Sequence, residues 1–79
     1  MRIITLGACC KKSIKFFENT KNAVQELGLE VEVENTGDMR EIAKYGVMQT
    51  PALVIDNRVL SYGKLLNSKQ IIELIKKVL

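Results

Sequence analysis

The chain has 79 residues, about half the length of an average domain, so it holds one small hydrophobic core and excludes a multi-domain enzyme. Hydrophobic residues at 47% and charged residues at 27% match a soluble globule and exclude a disordered chain. The net charge of +3 permits weak attraction to anionic surfaces without demanding it, and a sequence with no histidine excludes Ser-His-Asp and Cys-His catalysis.

In chain order, Arg2-Ile3-Ile4-Thr5-Leu6 is a short, largely apolar run stopped by Gly7, the pattern of a central strand covered on both faces. From about Lys11 to Leu27, Ile14, Phe17, Val24 and Leu27 recur at helical spacing, flanked by Phe16 and Ala23, and Gly28 supplies a stop; this predicts a long amphipathic helix. Glu30-Val31-Glu32-Val33-Glu34 alternates with period two and predicts an edge strand ending at Asn35-Thr36-Gly37. Asp38 followed by Glu41 is a variant capping box opening a short helix from about Met39 to Tyr45, closed by Gly46.

After a loop over Val47-Met48-Gln49-Thr50, Pro51 precedes the apolar strand Ala52–Ile55. Asp56-Asn57 forms a two-residue hairpin turn into a strand over Arg58–Tyr62. Asn67 or Ser68 caps a last helix with an apolar face of Ile71, Ile72, Leu74, Ile75 and Val78. The order β-α-β-α-β-β-α, with a right-handed parallel unit and a hairpin, predicts an α/β domain over residues 1–79 with a four-stranded mixed sheet of order β2-β1-β3-β4 and helices on both faces. A domain of this size has no capacity for a deep cavity, so its site is expected to be shallow, at the carboxyl edge of the sheet.

That edge is where Cys9 and Cys10 fall, between the first strand and the first helix. Unsatisfied N–H groups and the helix dipole favour a thiolate at a helix N-terminus, and Lys11, Lys12 and Lys15 add positive charge. Lysines in a first turn oppose the dipole by roughly 0.3–1 kcal/mol each unless an anion compensates. A thiolate at Cys10 would do so; equally, the three lysines can reach into screened solvent. Ser13, three residues after Cys10, shares its helical face and can hydrogen-bond a thiolate, or is a plain polar helix residue. On the dipeptide alone, Thr50-Pro51 reads as a trans proline opening a strand; a cis bond would turn the preceding backbone groups outward, toward a bound peptide.

Taken together, Leu6-Gly7-Ala8-Cys9-Cys10-Lys11-Lys12-Ser13, the order of elements and Gly46-Val47-Met48-Gln49-Thr50-Pro51-Ala52-Leu53-Val54-Ile55-Asp56-Asn57 resemble the thioredoxin-like superfamily. The resemblance is to its small, glutaredoxin-sized redox-active disulfide proteins, and it spans essentially the whole chain. It implies that Cys10 is the attacking cysteine, that Pro51 is a cis-proline beside the site, and that the Thr50 backbone pairs with substrate. The sequence departs from the family pattern in two places. Ser13 stands where the resolving cysteine would be, so the usual disulfide cannot form, and Cys9 replaces the glycine that precedes the nucleophile.

The leading expectation is a thiol-disulfide oxidoreductase in which Cys10 forms a mixed disulfide that an external thiol or Cys9 resolves. Its candidate site residues are Cys10, Cys9 and Ser13 for the chemistry and Thr50, Pro51, Lys11 and Lys12 for substrate. Its partners would be a disulfide-containing protein or a low-molecular-weight thiol, with no cofactor and no resident metal. A vicinal Cys9-Cys10 disulfide would be strained and readily reduced. A soft-metal or metalloid module using Cys9 and Cys10, and a redox-inactive protein-binding module, are the alternatives. The four aromatics form no stacking motif and no apolar run approaches ~18 residues, so neither nucleic acid nor a membrane is an expected partner. Met1 leads straight into the first strand without the pattern of a secretion signal, so a cytoplasmic protein is expected.

Overall fold

The computed structural model describes residues 2–7 and 11–78. The elements are β1 (Ile3–Leu6), α1 (Lys11–Glu26), β2 (Val33–Thr36), α2 (Met39–Lys44), β3 (Ala52–Ile55), β4 (Arg58–Tyr62) and α3 (Ser68–Val78). They form a four-stranded sheet of order β2-β1-β3-β4, in which β1 runs parallel to β2 and antiparallel to β3. This is the expected thioredoxin-like topology.

Period-two alternation in the two central strands divides the core into two layers. Ile3, Leu53 and Ile55 point to one face and pack with Phe16, Ala23 and Val24 of α1 and Ile71 and Ile75 of α3. Ile4, Leu6, Ala52 and Val54 point to the other, against Ile42 of α2 and Val47. Both strands are buried along their whole length, which is why they read as continuous apolar runs.

The buried stripe of α1 is rotated from the one its apolar residues suggested. Ile14 is 52% exposed and Phe17 only half-buried, whereas Ser13, Phe16, Thr20, Ala23 and Val24 are buried. Positions 13, 16, 20, 23 and 27 follow three-four spacing, but two carry hydroxyls, so a pattern of apolar residues selects the wrong rows. Burial of Thr20 is tolerated because its hydroxyl donates to the Phe16 carbonyl at 2.8 Å within the same helix.

The edge strand also differs in extent. The β2 ladder starts at Val33, paired with Ile3, and runs through Asn35 and Thr36, which oppose Thr5 and Leu6. The expected alternation from Glu30 began too early, because the start of the ladder is set by where β1 begins, whereas the expected end at Asn35-Thr36-Gly37 agrees with the observed end at Thr36. The Thr5 hydroxyl donates to Asn35 Oδ1 at 3.0 Å and the Gly7 N–H donates to the Thr36 carbonyl at 2.7 Å, drawing both turn-forming residues into the sheet. Arg2 donates to the Glu34 carboxylate at 2.7 Å across the same edge. That contact raises the arginine pKa through the hydrogen bond and then the charge of Glu34, and the hydrogen bond from Arg2 lowers that of Glu34.

Helix ends follow local chemistry. Asp38 caps α2 by accepting from the Arg40 N–H at 2.9 Å, and Tyr45 is the C-cap, one residue beyond the helix. Glu41 does not close the expected box; it pairs with Lys44, while the Asp38 N–H donates to the Thr36 hydroxyl. A reciprocal box forms instead at α3, where Asn67 Oδ1 accepts from the Gln70 N–H and Gln70 Oε1 accepts from the Asn67 N–H. Asp56 and Asn57 both take positive φ, as the hairpin turn requires, and β4 bulges opposite Leu53 and Val54.

Candidate functional site

Among the sequence-selected residues, Cys9 and Cys10 lie outside the described residues. Those around them converge at the carboxyl end of β1. Gly7 ends that strand with φ +111°, a value rarely available to a residue with a side chain. A methyl group built there would sit 2.6 Å from Ser13 Oγ and 2.9 Å from Thr50 Cβ. Gly7, just past the end of β1, the first turn of α1 and the loop before β3 are therefore in close approach, and a Cβ would hold them apart.

Ser13 is 1% exposed, on the sheet-facing side of α1 rather than at the surface. Lys11 and Lys12, by contrast, are exposed in the first turn of α1.

The Thr50-Pro51 bond is cis. The dipeptide alone suggested a trans proline at a strand start, whereas the family resemblance implied the cis form found here. Pro51 is buried, and its carbonyl accepts the Gly63 N–H at 2.9 Å, tying the connection after β4 to the loop before β3. Gly63 has φ +72°, and a Cβ there would collide with the Gln49 side chain. Gln49, Thr50 and Gly63 thus belong to the same neighbourhood.

Beside this junction lies an open groove of about 480 Å³ whose lining includes Gly7, Met39, Ile42, Val47, Met48 and Thr50. Met48 is 94% and Met39 75% exposed, so two flexible, polarisable side chains flank an apolar floor one residue from segment 8–10. Gly7, Gly63 and the two methionines were not selected from the sequence as site residues. Gly7 read only as a strand stop, and single exposed methionines carry no periodic signal. Among the described residues, no group of three or more acidic, histidine or cysteine side chains could hold a metal ion, and no helix is long and apolar enough to cross a membrane.

A mixed sheet of order β2-β1-β3-β4, with a cis-proline loop whose Thr50 lies against Gly7 at the end of β1, defines a thioredoxin-like protein. The comparisons agree. The family model for the thioredoxin domain matches residues 1–76, and the chain belongs to that family. A curated thioredoxin of Methanocaldococcus jannaschii is 36% identical over 73 residues, covering 92% of this chain and 84% of the relative. A second, from Methanothermobacter thermautotrophicus, is 29% identical over 79 residues, covering 100% of this chain and 97% of the relative.

Proposed function

We propose that this chain is a thiol-disulfide oxidoreductase of the thioredoxin and glutaredoxin type, with Cys10 as nucleophile and residues 1–79 working as one unit in a reducing cytoplasm. The observation that carries the proposal is the convergence of Gly7, Ser13 and the Thr50-Pro51 loop around the ends of segment 8–10. In the first step the Cys10 thiolate attacks one sulfur of a substrate disulfide. A Cys10-substrate disulfide forms, and the other substrate sulfur leaves as a thiolate.

Resolution takes one of two routes. An external thiolate attacks the Cys10 sulfur and releases the reduced substrate, and a second external thiol then frees Cys10 as the external pair becomes a disulfide. Alternatively, Cys9 attacks Cys10, releasing the substrate thiolate and leaving a vicinal disulfide for an external dithiol or two thiols to reduce. Each route moves two electrons from external thiol to substrate. Ser13 cannot resolve the mixed disulfide, so its role is that of a buried hydroxyl positioned to support the Cys10 thiolate. The backbone of Thr50, beside Pro51, is the surface against which the substrate chain lies, and Lys11 and Lys12 favour the anionic form of the thiol. The substrates are disulfide-containing proteins, with a low-molecular-weight thiol as a reductant.

The test is intact mass after equilibration in graded thiol-disulfide buffers, with free thiols alkylated, on the wild type, Cys9→Ser and Cys10→Ser. A Cys10-dependent small-thiol adduct identifies the external route, and loss of two hydrogens identifies the Cys9-Cys10 bridge. Exchange that persists unchanged in Cys10→Ser refutes the assignment. Thiols that stay free throughout, with stoichiometric bound metal, would establish a thiophilic-metal module instead.

A further inference from the structure

A second concave surface lies on the outer side of α1, separate from the methionine-flanked groove. It is an open trough of about 410 Å³ lined by Lys11, Lys12, Ile14, Lys15, Glu18 and Leu65. Its floor is made by two large apolar side chains from different parts of the chain: Ile14, 52% exposed on α1, and Leu65, 44% exposed on the connection between β4 and α3. This is the same rotation of α1 that buries Phe16; turning Phe16 inward leaves Ile14 facing out, and Leu65 comes alongside it.

The charges around this floor are arranged along the helix. Lys11 and Lys15 are one turn apart and lie beside Ile14, with Lys12 next to them at the N-terminal end. Glu18 lies one turn beyond Ile14 at the other end. The ion pairs are Arg2 with Glu34 and Lys44 with Glu41, so among the described residues no carboxylate pairs with any of the three trough lysines. The trough is therefore apolar in the middle, cationic toward the reactive segment and anionic at the far end.

We propose that this trough docks a protein partner through a segment that places a bulky apolar side chain between Ile14 and Leu65, with acidic residues on the side toward Lys11 and Lys12. A small anion would meet the lysines but leave both apolar side chains in water. An apolar residue alone would leave three cations uncompensated. An acidic segment with an apolar anchor satisfies both and sets the direction of the docked chain, because Glu18 repels acidic residues at the opposite end. The inference deepens the redox reading by giving the partner protein a recognition sequence next to the disulfide it would bring to Cys10. The docking itself does not depend on exchange.

The experiment uses the reduced native chain and a cysteine-free synthetic peptide, Glu-Asp-Leu-Phe-Gly-Ser, followed by amide chemical shifts. A Lys-Lys-Leu-Phe-Gly-Ser peptide serves as control. The acidic peptide should shift the first two turns of α1 and the region of Leu65, weaken as salt rises and outcompete the basic one. The double substitution Ile14→Gln and Leu65→Gln, at exposed positions that spare the core, should weaken binding roughly tenfold through lost apolar contact. Lys15→Glu should weaken the acidic peptide and strengthen the basic one. Shifts elsewhere, equal binding of the two peptides, no binding, or undiminished binding by the double variant would overturn the proposal. So would trough-dependent co-sedimentation with anionic phosphatidylglycerol vesicles in place of peptide binding. Because the peptide has no thiol, failure of the redox assignment leaves this result intact, and failure here leaves Cys10 exchange to be measured separately.

Discussion

Replacing Gly7 with alanine tests whether the close approach at the carboxyl end of β1 holds the candidate site together. Two costs combine. Holding a non-glycine residue at φ +111° costs about 1–3 kcal/mol. The new methyl would also lie 2.6 Å from Ser13 Oγ and 2.9 Å from Thr50 Cβ, and neither neighbour is the free end of a long side chain. Relief requires a shift of the first turn of α1 or of the loop before β3, for about 1–3 kcal/mol more. The sum, about 2–6 kcal/mol, is a large part of the roughly 4–12 kcal/mol expected for a chain of this length. Thermal unfolding followed by circular dichroism should show a midpoint lower by about 10 °C or more. Gly28→Ala is the matched control, since Gly28 has φ +68° but nothing within 4 Å of a built Cβ, so only the backbone cost of about 1 kcal/mol applies. Adding Ser13→Ala to Gly7→Ala should recover part of the loss in a double-mutant cycle, because the nearest atom is removed. Equal destabilisation by Gly7→Ala and Gly28→Ala, or strict additivity with Ser13→Ala, would refute the claim that crowding at this junction matters.

Other consequences are equally direct. Phe16→Ala should cost about 3–5 kcal/mol, enough to leave much of the chain unfolded, while Ile14→Ala should stay within about 1 kcal/mol; comparable losses in denaturant titrations would mean that α1 buries a different face. Because Arg2 depresses the Glu34 pKa, the native state gains stability from this pair above the ordinary carboxylate range and loses it as pH falls through the folded value. Glu34→Gln should therefore be less sensitive than wild type to acid below about pH 4, with the difference shrinking at high salt because both groups are exposed. An unchanged acid limb would contradict that coupling. Finally, Ser13→Cys restores a two-residue-spaced cysteine pair, and on the proposed mechanism mild oxidant should yield a monomer two hydrogens lighter, dependent on Cys10 and not on Cys9. Mass spectrometry that finds both thiols still free would argue against Cys10 and position 13 facing one another.

The features legible from the residues alone are local and periodic. The central strands were legible because strands buried on both faces are apolar without interruption. The Asp56-Asn57 hairpin was legible because two consecutive positive φ values demand such residues, and the order of elements left few ways to pair the strands. The cysteine segment and the Thr50-Pro51 step stood out for their chemistry and their match to a family pattern. Tertiary structure decided what depends on partners distant in sequence. Which face of α1 is buried turned on two hydroxyl residues, Ser13 and Thr20, that look polar until their surroundings are known. The start of β2 was set by where β1 begins, and the crowding at Gly7 by side chains 6 and 43 positions further along. Periodicity records what each residue prefers within its own element; the contacts that align a strand end, a helix start and a proline loop arise only when the elements pack.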